Sequence, residues 1–390
     1  MFRMELPQNA RTILSVLRAH GYRGYVVGGC VRDACLGLPP HDYDITTDAS
    51  PQQVQEAFRD YRVLETGIRH GTVTVLIDHE PFEITTFRID GDYTDCRHPN
   101  DVTFTTRIED DLARRDFPVH AMAGDGETLV DPFGGQADAA KRILRCVGDA
   151  NRRFQEDGLR ILRALRFSAV LDFTIEPDTA SAVHENRDLL RKIAVERLYA
   201  ETRKLLVGIN APAVLRAYAD VVRVFLPGLS DVGLQAVEGT ERDLLLRLAL
   251  LLTGTDAESA LRDLHADNKT IRAVCELHRT PLTDGRHLLA ALSPDQAKRR
   301  IAYAAALGEI GDADAAARLE ELRDILADKP CLTLRDLKVD GRDMQSLGLS
   351  GTQIGKALNA LLDRVLSGTL ANEHEALLDE VRKMDPEQIG

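Results

Sequence analysis

The sequence predicts an α+β protein in which a strand-bearing N-terminal part leads into an all-helical remainder. Three observations carry this. Short runs of β-branched and aromatic residues, Tyr25–Val27, Val73–Ile77 and Phe82–Phe87, all lie ahead of residue 90. From residue 210 onward apolar residues recur instead at helical spacing, as in Leu244, Leu245, Leu248 and Leu251. Between the first strand and residue 47 stands one compact unit: strand, glycine pair, short helix, and a second strand carrying two carboxylates.

Taken in order, residues 7–20 form a helix whose apolar face is Ile13, Leu14, Val16 and Leu17. Tyr25–Val27 follow as a strand, ended by Gly28 and Gly29, which let the backbone turn tightly and approach a ligand. A short helix carries Val31, Cys35 and Leu36 inward and stops at Gly37. Asp42–Ile45 read as a second strand, and Pro51 opens a helix with Val54 and Phe58 inward. Residues 89–103 are polar and rich in turn formers, which predicts a mobile loop. Arg114, Arg115 and Asp116 precede an apolar helical start, and Asp131-Pro132 with Gly134-Gly135 closes the first domain.

The chemistry concentrates on a few residues. Strand side chains alternate, so Asp42 and Asp44 leave one face, where two carboxylates resist joint ionisation unless a cation lies between them. Hard divalent cations such as Mg²⁺ favour such oxygen donors together with phosphate oxygens. The glycine turn and helix start at Gly28 and Gly29 offer backbone N–H groups to a triphosphate, and Arg32 adds positive charge. Glu83 is a candidate third carboxylate, with a surface glutamate on an edge strand as the equal alternative. Arg115 suits triphosphate oxygens and Asp116 a ribose hydroxyl. Residues 141–166 set eight cations, among them Arg163, against three carboxylates. That is an electrostatic footprint for nucleic acid or triphosphate, or else a solvated helix face with ion pairs such as Glu156 with Arg160. Asp157 and Arg160, three apart on a helix, present an acceptor and a donor. Cytosine and adenine match that pair with an amine beside a ring nitrogen, whereas uracil and guanine oppose the carboxylate with a carbonyl.

These segments together resemble the polymerase-β-like nucleotidyltransferases, and within them the class II tRNA CCA-adding enzyme and bacterial poly(A) polymerase family. The pattern Gly-Gly-x-Val-Arg-Asp, Leu-Gly, Asp-x-Asp is met by Gly28, Gly29, Val31, Arg32, Asp33, Leu36, Gly37, Asp42 and Asp44. Glu-Ile-Thr-Thr-Phe-Arg from Glu83 extends the likeness, as does Glu-Asp-x-Leu-Arg at Glu156–Arg160, with Gly158 at the open position. Glu196-Arg197 and Glu201 match an element that supports the reading helix in relatives. In Arg-Arg-Asp-Phe-Thr-Ile-Asn-Ala the chain departs, with Pro118 and His120 where Thr and Asn are usual. The likeness is dense over residues 20–205 and loose in the tail, where Gly351 and Gly355 read as RNA-binding positions, Gly355 alternatively as a helix-packing one.

The resemblance implies a nucleotidyltransferase head of mixed or antiparallel sheet with helices, then an all-α neck, body and tail. The expected divisions are 1–140 for the head, 141–205 for a neck that recognises the base, 206–270 for the body, and 271–390 for a tRNA-binding tail. The implied reaction is template-independent addition of CCA to the tRNA 3′ end from CTP and ATP, using two Mg²⁺ ions on Asp42 and Asp44 and releasing pyrophosphate. An A-adding enzyme or poly(A) polymerase of the same fold is the near alternative, and a catalytically silent RNA-binding protein the distant one.

Composition agrees. A chain of 390 residues suffices for two or more domains. The net charge of −13 requires that basic residues gather locally if nucleic acid is bound. Six cysteines without a Cys-x-x-Cys pair, and an N-terminus without an apolar leader, point to free thiols in the cytoplasm. No apolar run reaches membrane-spanning length, and no obligate protein partner is inferred.

Overall fold

The computed structural model describes residues 2–40, 42–65, 67–68, 71–91, 102–328 and 330–384. Contacts divide the chain into two compact units, Met1–Pro227 and Gly228–Gly390, at the Pro-Gly turn between them.

The first unit opens with α1 (Gln8–Ala19), which buries Ala10, Ile13, Leu14 and Leu17 on one face. There follow β1 (Gly24–Val27), α2 (Gly29–Cys35), β2 (Asp44–Thr47), α3 (Pro51–Ala57), β3 (Arg62–Leu64), β4 (Thr72–Ile77) and β5 (Glu80–Thr86). Helix α3 starts as its sequence dictates, with Pro51 in the first turn and Ser50 and Gln53 exchanging capping hydrogen bonds. With β8 (Ala123–Gly124) and β9 (Leu129–Val130), these strands form a seven-stranded sheet in the order β3-β4-β5-β2-β1-β8-β9. Strands β2 and β5 run parallel while the other neighbours are antiparallel, so the sheet is mixed. One core packs Ile13, Leu17, Val31, Phe58, Val73 and Ile84, and a second gathers Val27, Phe87, Ile108, Leu112 and Val147.

The expected loop 89–103 is structured at its ends. There β6 (Arg88–Asp90) pairs antiparallel with β7 (Val102–Phe104), while 92–101 lie outside the described residues. Next comes α4 (Ile108–Ala113), so Arg114–Asp116 follow a helix rather than open one, and only a 3-10 turn over Pro118–His120 succeeds them. The turn at Asp131 leads into α5 (Gly135–Lys141), with Gly135 and Gln136 donating backbone N–H groups to the Asp131 carboxylate.

The cation-rich stretch 141–166 is likewise several elements. After β10 (Ile143–Leu144) come α6 (Ala150–Glu156) and α7 (Leu159–Leu171), broken at Asp157, whose backbone is extended. Asp157 therefore does not share a helix with Arg160. Gly158 sits at the break, where an added Cβ would lie 3.1 Å from Leu189 Cβ, a tight contact that Leu189 could relieve only by shifting a few tenths of an ångström. The unit continues through β11 (Thr174–Ile175), α8 (Pro177–Glu185), α9 (Val195–Leu206), α10 (Ala211–Ala217) and α11 (Ala219–Val222).

The second unit is helical among the described residues, from α12 (Asp231–Ala236) through α13 (Leu244–Leu251), α14 (Ala257–Asp263), α15 (Asn268–Arg279), α16 (Gly285–Ala291), α17 (Pro294–Ala306), α18 (Asp312–Ala327), α19 (Gly341–Ser346) and α20 (Thr352–Leu366) to α21 (His374–Lys383). Helix α13 buries every residue from Leu246 to Leu251, not a single stripe, because other helices of its unit surround it. The described cysteines are all free thiols.

Candidate active site

The sheet presents its functional groups where β1 ends and β2 begins. Gly28 adopts φ 84° and ψ −127°, open in practice to glycine alone, and turns the chain from β1 into α2. Its amide donates to the Met122 carbonyl, and the position of an added Cβ lies 3.5 Å from the Arg115 guanidinium. Helix α2 buries Arg32, whose guanidinium donates to Asp33 Oδ1 at 2.9 and 2.6 Å and to His120 Nε2 at 2.5 Å.

Val27 pairs with Asp44 across the antiparallel β1–β2 ladder, which fixes the second aspartate beside the glycine turn. Asp42 stands just ahead of β2. Asp44 is exposed at the start of β2, yet the protein packed around it partly desolvates its carboxyl and pushes it up; Arg115 opposes this, and Asp42 pushes it further up. Both aspartates line two adjoining clefts. The larger, about 660 Å³, also holds Gly28, Gly29, Arg32, Arg115 and Asp116. The other, about 530 Å³, holds Tyr43, Thr74, Glu80 and Glu83. Glu83 is exposed on β5, one residue before Ile84, the parallel partner of Ile45. Among the described residues no cluster of three or more metal-ligating groups forms, so Glu83 shares a cleft with the aspartates without joining them in one ligand set.

Helix α4 and the segment after it supply the next groups. Asp111 is fully buried and accepts from Arg114 at 2.8 Å, lies 3.5 Å from Arg115, and takes the Arg88 backbone N–H. Burial alone would push Asp116 up, but Arg163 and the neighbouring His120 hold it well below the usual carboxylate range. Burial also pushes His120 down to about 4, with Arg32 and Arg163 adding to the shift and Asp116 resisting it.

Beyond the sheet, α6, α7 and α9 complete the larger cleft with Asp157, Arg160, Arg163, Arg166, Phe167, Arg197 and Lys204. Arg160 is nearly buried and held on three sides: Glu156 at 2.7 Å, the Arg153 carbonyl at 3.1 Å and the Arg114 carbonyl at 3.0 Å. Asp157 accepts from the Leu159 N–H at 3.0 Å and from Arg197 at 3.2 Å. The predicted cation patch is mostly paired: Glu156 meets Arg152, Arg153 and Arg160, Asp138 meets Arg145, and Glu201 meets Arg166.

The eleven sequence-predicted residues of the first unit thus meet along two clefts that share Asp42 and Asp44. Sequence reasoning missed Asp111 as the anchor of both arginines, although its i,i+3 and i,i+4 spacing to Arg114 and Arg115 was a readable signal. His120 stood in the sequence reading only as a departure from the family pattern, and Arg166 only as one cation of the 141–166 stretch; Phe167 and Lys204 were not read as site residues, and only the fold brings them to the cleft. In the second unit Gly351 caps α20 with φ 56°, and Gly355 is exposed on that helix with nothing within 4 Å of an added Cβ. Close helix packing is therefore not the reason for Gly355.

Comparison with known proteins follows the same outline. The Poly A polymerase head domain matches residues 24–145, the probable RNA and SrmB-binding site of polymerase A matches 172–231, and the putative tRNA nucleotidyltransferase domain 2 matches 238–381. The CCA-adding enzyme of Geobacillus stearothermophilus is 35% identical over 398 residues, covering 95% of each chain. That of Levilactobacillus brevis is 38% identical over 397 residues, covering 95% of this chain and 96% of the relative. The crystal structure of Bacillus stearothermophilus CCA-adding enzyme in complex with CTP is similar with a TM-score of 0.84 at 33% identity, covering 97% of this chain and 98% of that one.

Proposed function

The chain belongs to the family of CCA-adding enzymes, and from that premise we propose how its clefts perform the reaction. The enzyme is a template-independent nucleotidyltransferase that builds CCA on the tRNA 3′ end from CTP and ATP. The observation that carries the site assignment is one cleft lined jointly by the glycine turn, Asp42, Asp44, Arg115, Asp116, Asp157 and Arg160.

In our reading the triphosphate lies along Gly28, Gly29, Arg32 and Arg115, where open backbone and buried guanidinium groups meet. Asp116 accepts from a ribose hydroxyl. Asp157 accepts the exocyclic amine of cytosine or adenine while Arg160 donates to the neighbouring ring position. Because Glu156 and two carbonyls hold Arg160, the base is read by a nearly immobile donor. A base with a carbonyl facing Asp157 leaves polar groups unpaired, and that rejects uracil and guanine. The tRNA 3′ oxygen bonds to the α-phosphorus as the bond to the bridging oxygen breaks. Pyrophosphate leaves with that electron pair, and the hydroxyl proton passes to solvent. The shared edge of the two clefts suits in-line displacement, with the acceptor end entering on the Glu83 side.

Enzymes of this family are metal-dependent, and the donor set here fits a hard cation: two adjacent carboxylates, one of them pushed up by local desolvation and by its neighbour. We propose that Asp42 and Asp44 hold two Mg²⁺ ions, with Glu83 a third catalytic carboxylate on the wall of the adjoining cleft rather than a member of the same ligand set. When bound, the metal lowers the pKa of the attacking hydroxyl and screens charge on the leaving oxygens. We assign tRNA contact to the helical second unit, including the open backbone at Gly351 and Gly355, and we retain 1–140, 141–205, 206–270 and 271–390 as head, neck, body and tail. Among the described residues no helix is long and apolar enough to cross a membrane. We place the enzyme with its tRNA substrate in the cytoplasm.

The test is incorporation on a tRNA ending at the discriminator base, with Mg²⁺ and CTP, ATP or both. Three additions ending in A, abolished by Asp44→Ala, support the assignment. Activity that survives Asp44→Ala sinks it.

A further inference from the structure

His120 lies at the meeting point of the phosphate, ribose and base parts that we assign to the cleft. Its ring is buried, 7% exposed, between elements distant in sequence. Arg32 of α2 donates from Nη1 to Nε2 at 2.5 Å. A guanidinium can only donate, so Nε2 carries the lone pair and the proton resides on Nδ1. That N–H has no hydrogen-bond partner among the described residues, and Asp116 Oδ1 lies 3.6 Å away. The ring centroid is 4.0 Å from that of Phe167 on α7, and the Arg166 guanidinium carbon lies 3.6 Å from the same Phe167 centroid.

We propose that His120 is a positioning residue that ties the phosphate-side Arg32 to the ribose-side Asp116 and seats both against the base-reading helix α7. Two cations, Arg32 and Arg163, and one carboxylate, Asp116, face the ring, and burial with those cations keeps it neutral, as acceptance from Arg32 requires. Asparagine would serve the same two partners, since its amide both accepts and donates. The histidine adds a flat face for Phe167, which an amide does not offer. Loss of the imidazole would free Arg32 on one side and leave Asp116 held only by Arg163 on Oδ2 and the Phe117 backbone N–H on Oδ1, so nucleotide binding and sugar discrimination would weaken together.

The inference rests on the assignment of Asp116 to the ribose and Arg32 to the triphosphate, and its test separates the two. Steady-state incorporation of CTP, ATP and dCTP is measured for wild type, His120→Asn, His120→Phe and Asp116→Ala, with thermal melting of each. We expect His120→Phe, which keeps the stacked ring, to raise KM for CTP and ATP about 10-fold and to lower the CTP-over-dCTP preference about 5-fold. His120→Asn should stay within about 2-fold of wild type in both. Equal behaviour of the Phe and Asn variants, in either direction, overturns the proposal, because bulk rather than polarity would then be what the position supplies. An unchanged sugar preference in Asp116→Ala overturns the ribose assignment and with it the His120–Asp116 arm. The Arg32 arm is judged by the KM values alone.

Discussion

Arg163 of α7 grips a single oxygen of Asp116, with Nε and Nη2 both 2.7 Å from Oδ2, while Asp116 Oδ1 takes the Phe117 backbone N–H at 3.0 Å. This ion pair joins the sheet-bearing head to the helix that carries Arg160, and it decides how the ribose-facing carboxylate stands.

Its removal should be visible as pH-dependent stability. Asp116 is held below its ordinary range in the folded chain, whereas in the unfolded chain it titrates at about 3.9. A depressed folded pKa contributes stability that is present in full above the unfolded value and lost as pH falls toward the folded one. Arg163→Met should therefore destabilise the first unit by about 1 to 3 kcal/mol at neutral pH, the cost of an unsatisfied buried carboxylate. The gap to wild type should narrow as pH drops to about 4, where the unpaired carboxyl of the variant is already protonated. Melting curves at the two pH values check this, and a gap that widens toward acid refutes it.

Arg197 reaches across from α9 to hold Asp157, which sits on an extended residue between two helices and has no helix to orient it. Arg197→Met should leave the fold intact and loosen the base acceptor. We expect misincorporation of UTP and GTP relative to CTP and ATP to rise about 10-fold, with a smaller loss in turnover of correct nucleotides. Competition assays read this directly, and unchanged fidelity would remove Arg197 from any part in base choice.

Chelation should abolish incorporation and added Mg²⁺ should restore it. Because local desolvation and Asp42 raise the carboxyl of the surface-exposed Asp44, protons compete with the cation at higher pH than they would for an ordinary aspartate. The Mg²⁺ concentration for half-maximal rate should therefore rise as pH is lowered from neutral, and more steeply than that of a control bound by a single exposed carboxylate. A half-maximal concentration independent of pH down to about 5 would contradict the raised carboxyl.

Gly28→Ala tests the turn. The residue would have to hold φ 84° with a Cβ, a strain of about 1 to 3 kcal/mol, while the space around it is only ordinary van der Waals contact. The expected outcome is a modest drop in melting temperature and a large rise in KM for both nucleotides, because the relieved turn would shift the backbone that lines the cleft. A normal KM would show that the triphosphate does not lie on this turn.

Much of this was legible locally. Strand, glycine pair, helix and Asp-x-Asp follow one another within 25–47, so their chemistry is set by neighbours in sequence, and the capping of α3 is written in Ser50, Pro51 and Gln53. The break at Asp157 was not legible. Glu156–Arg160 has helical spacing, and only the fold shows the extended backbone at Asp157 and the tight approach of Leu189 to Gly158. The cation stretch holds the Glu156–Arg160 pair that its spacing offered, but its further partners Asp116, Asp138 and Glu201 come from elsewhere in the chain.

By itself the sequence determined which residue types the chain holds for phosphate, ribose, base and metal, and the local turns that present the first of them. The tertiary structure decided which carboxylate each cleft arginine pairs with, as Arg163 with Asp116 and Arg166 with Glu201, and it set His120, 88 residues from Arg32, against that guanidinium. The physical reason is range. Turns and periodicity arise from neighbouring residues, whereas the pairing of buried charges depends on which distant elements packing brings within a few ångströms of one another.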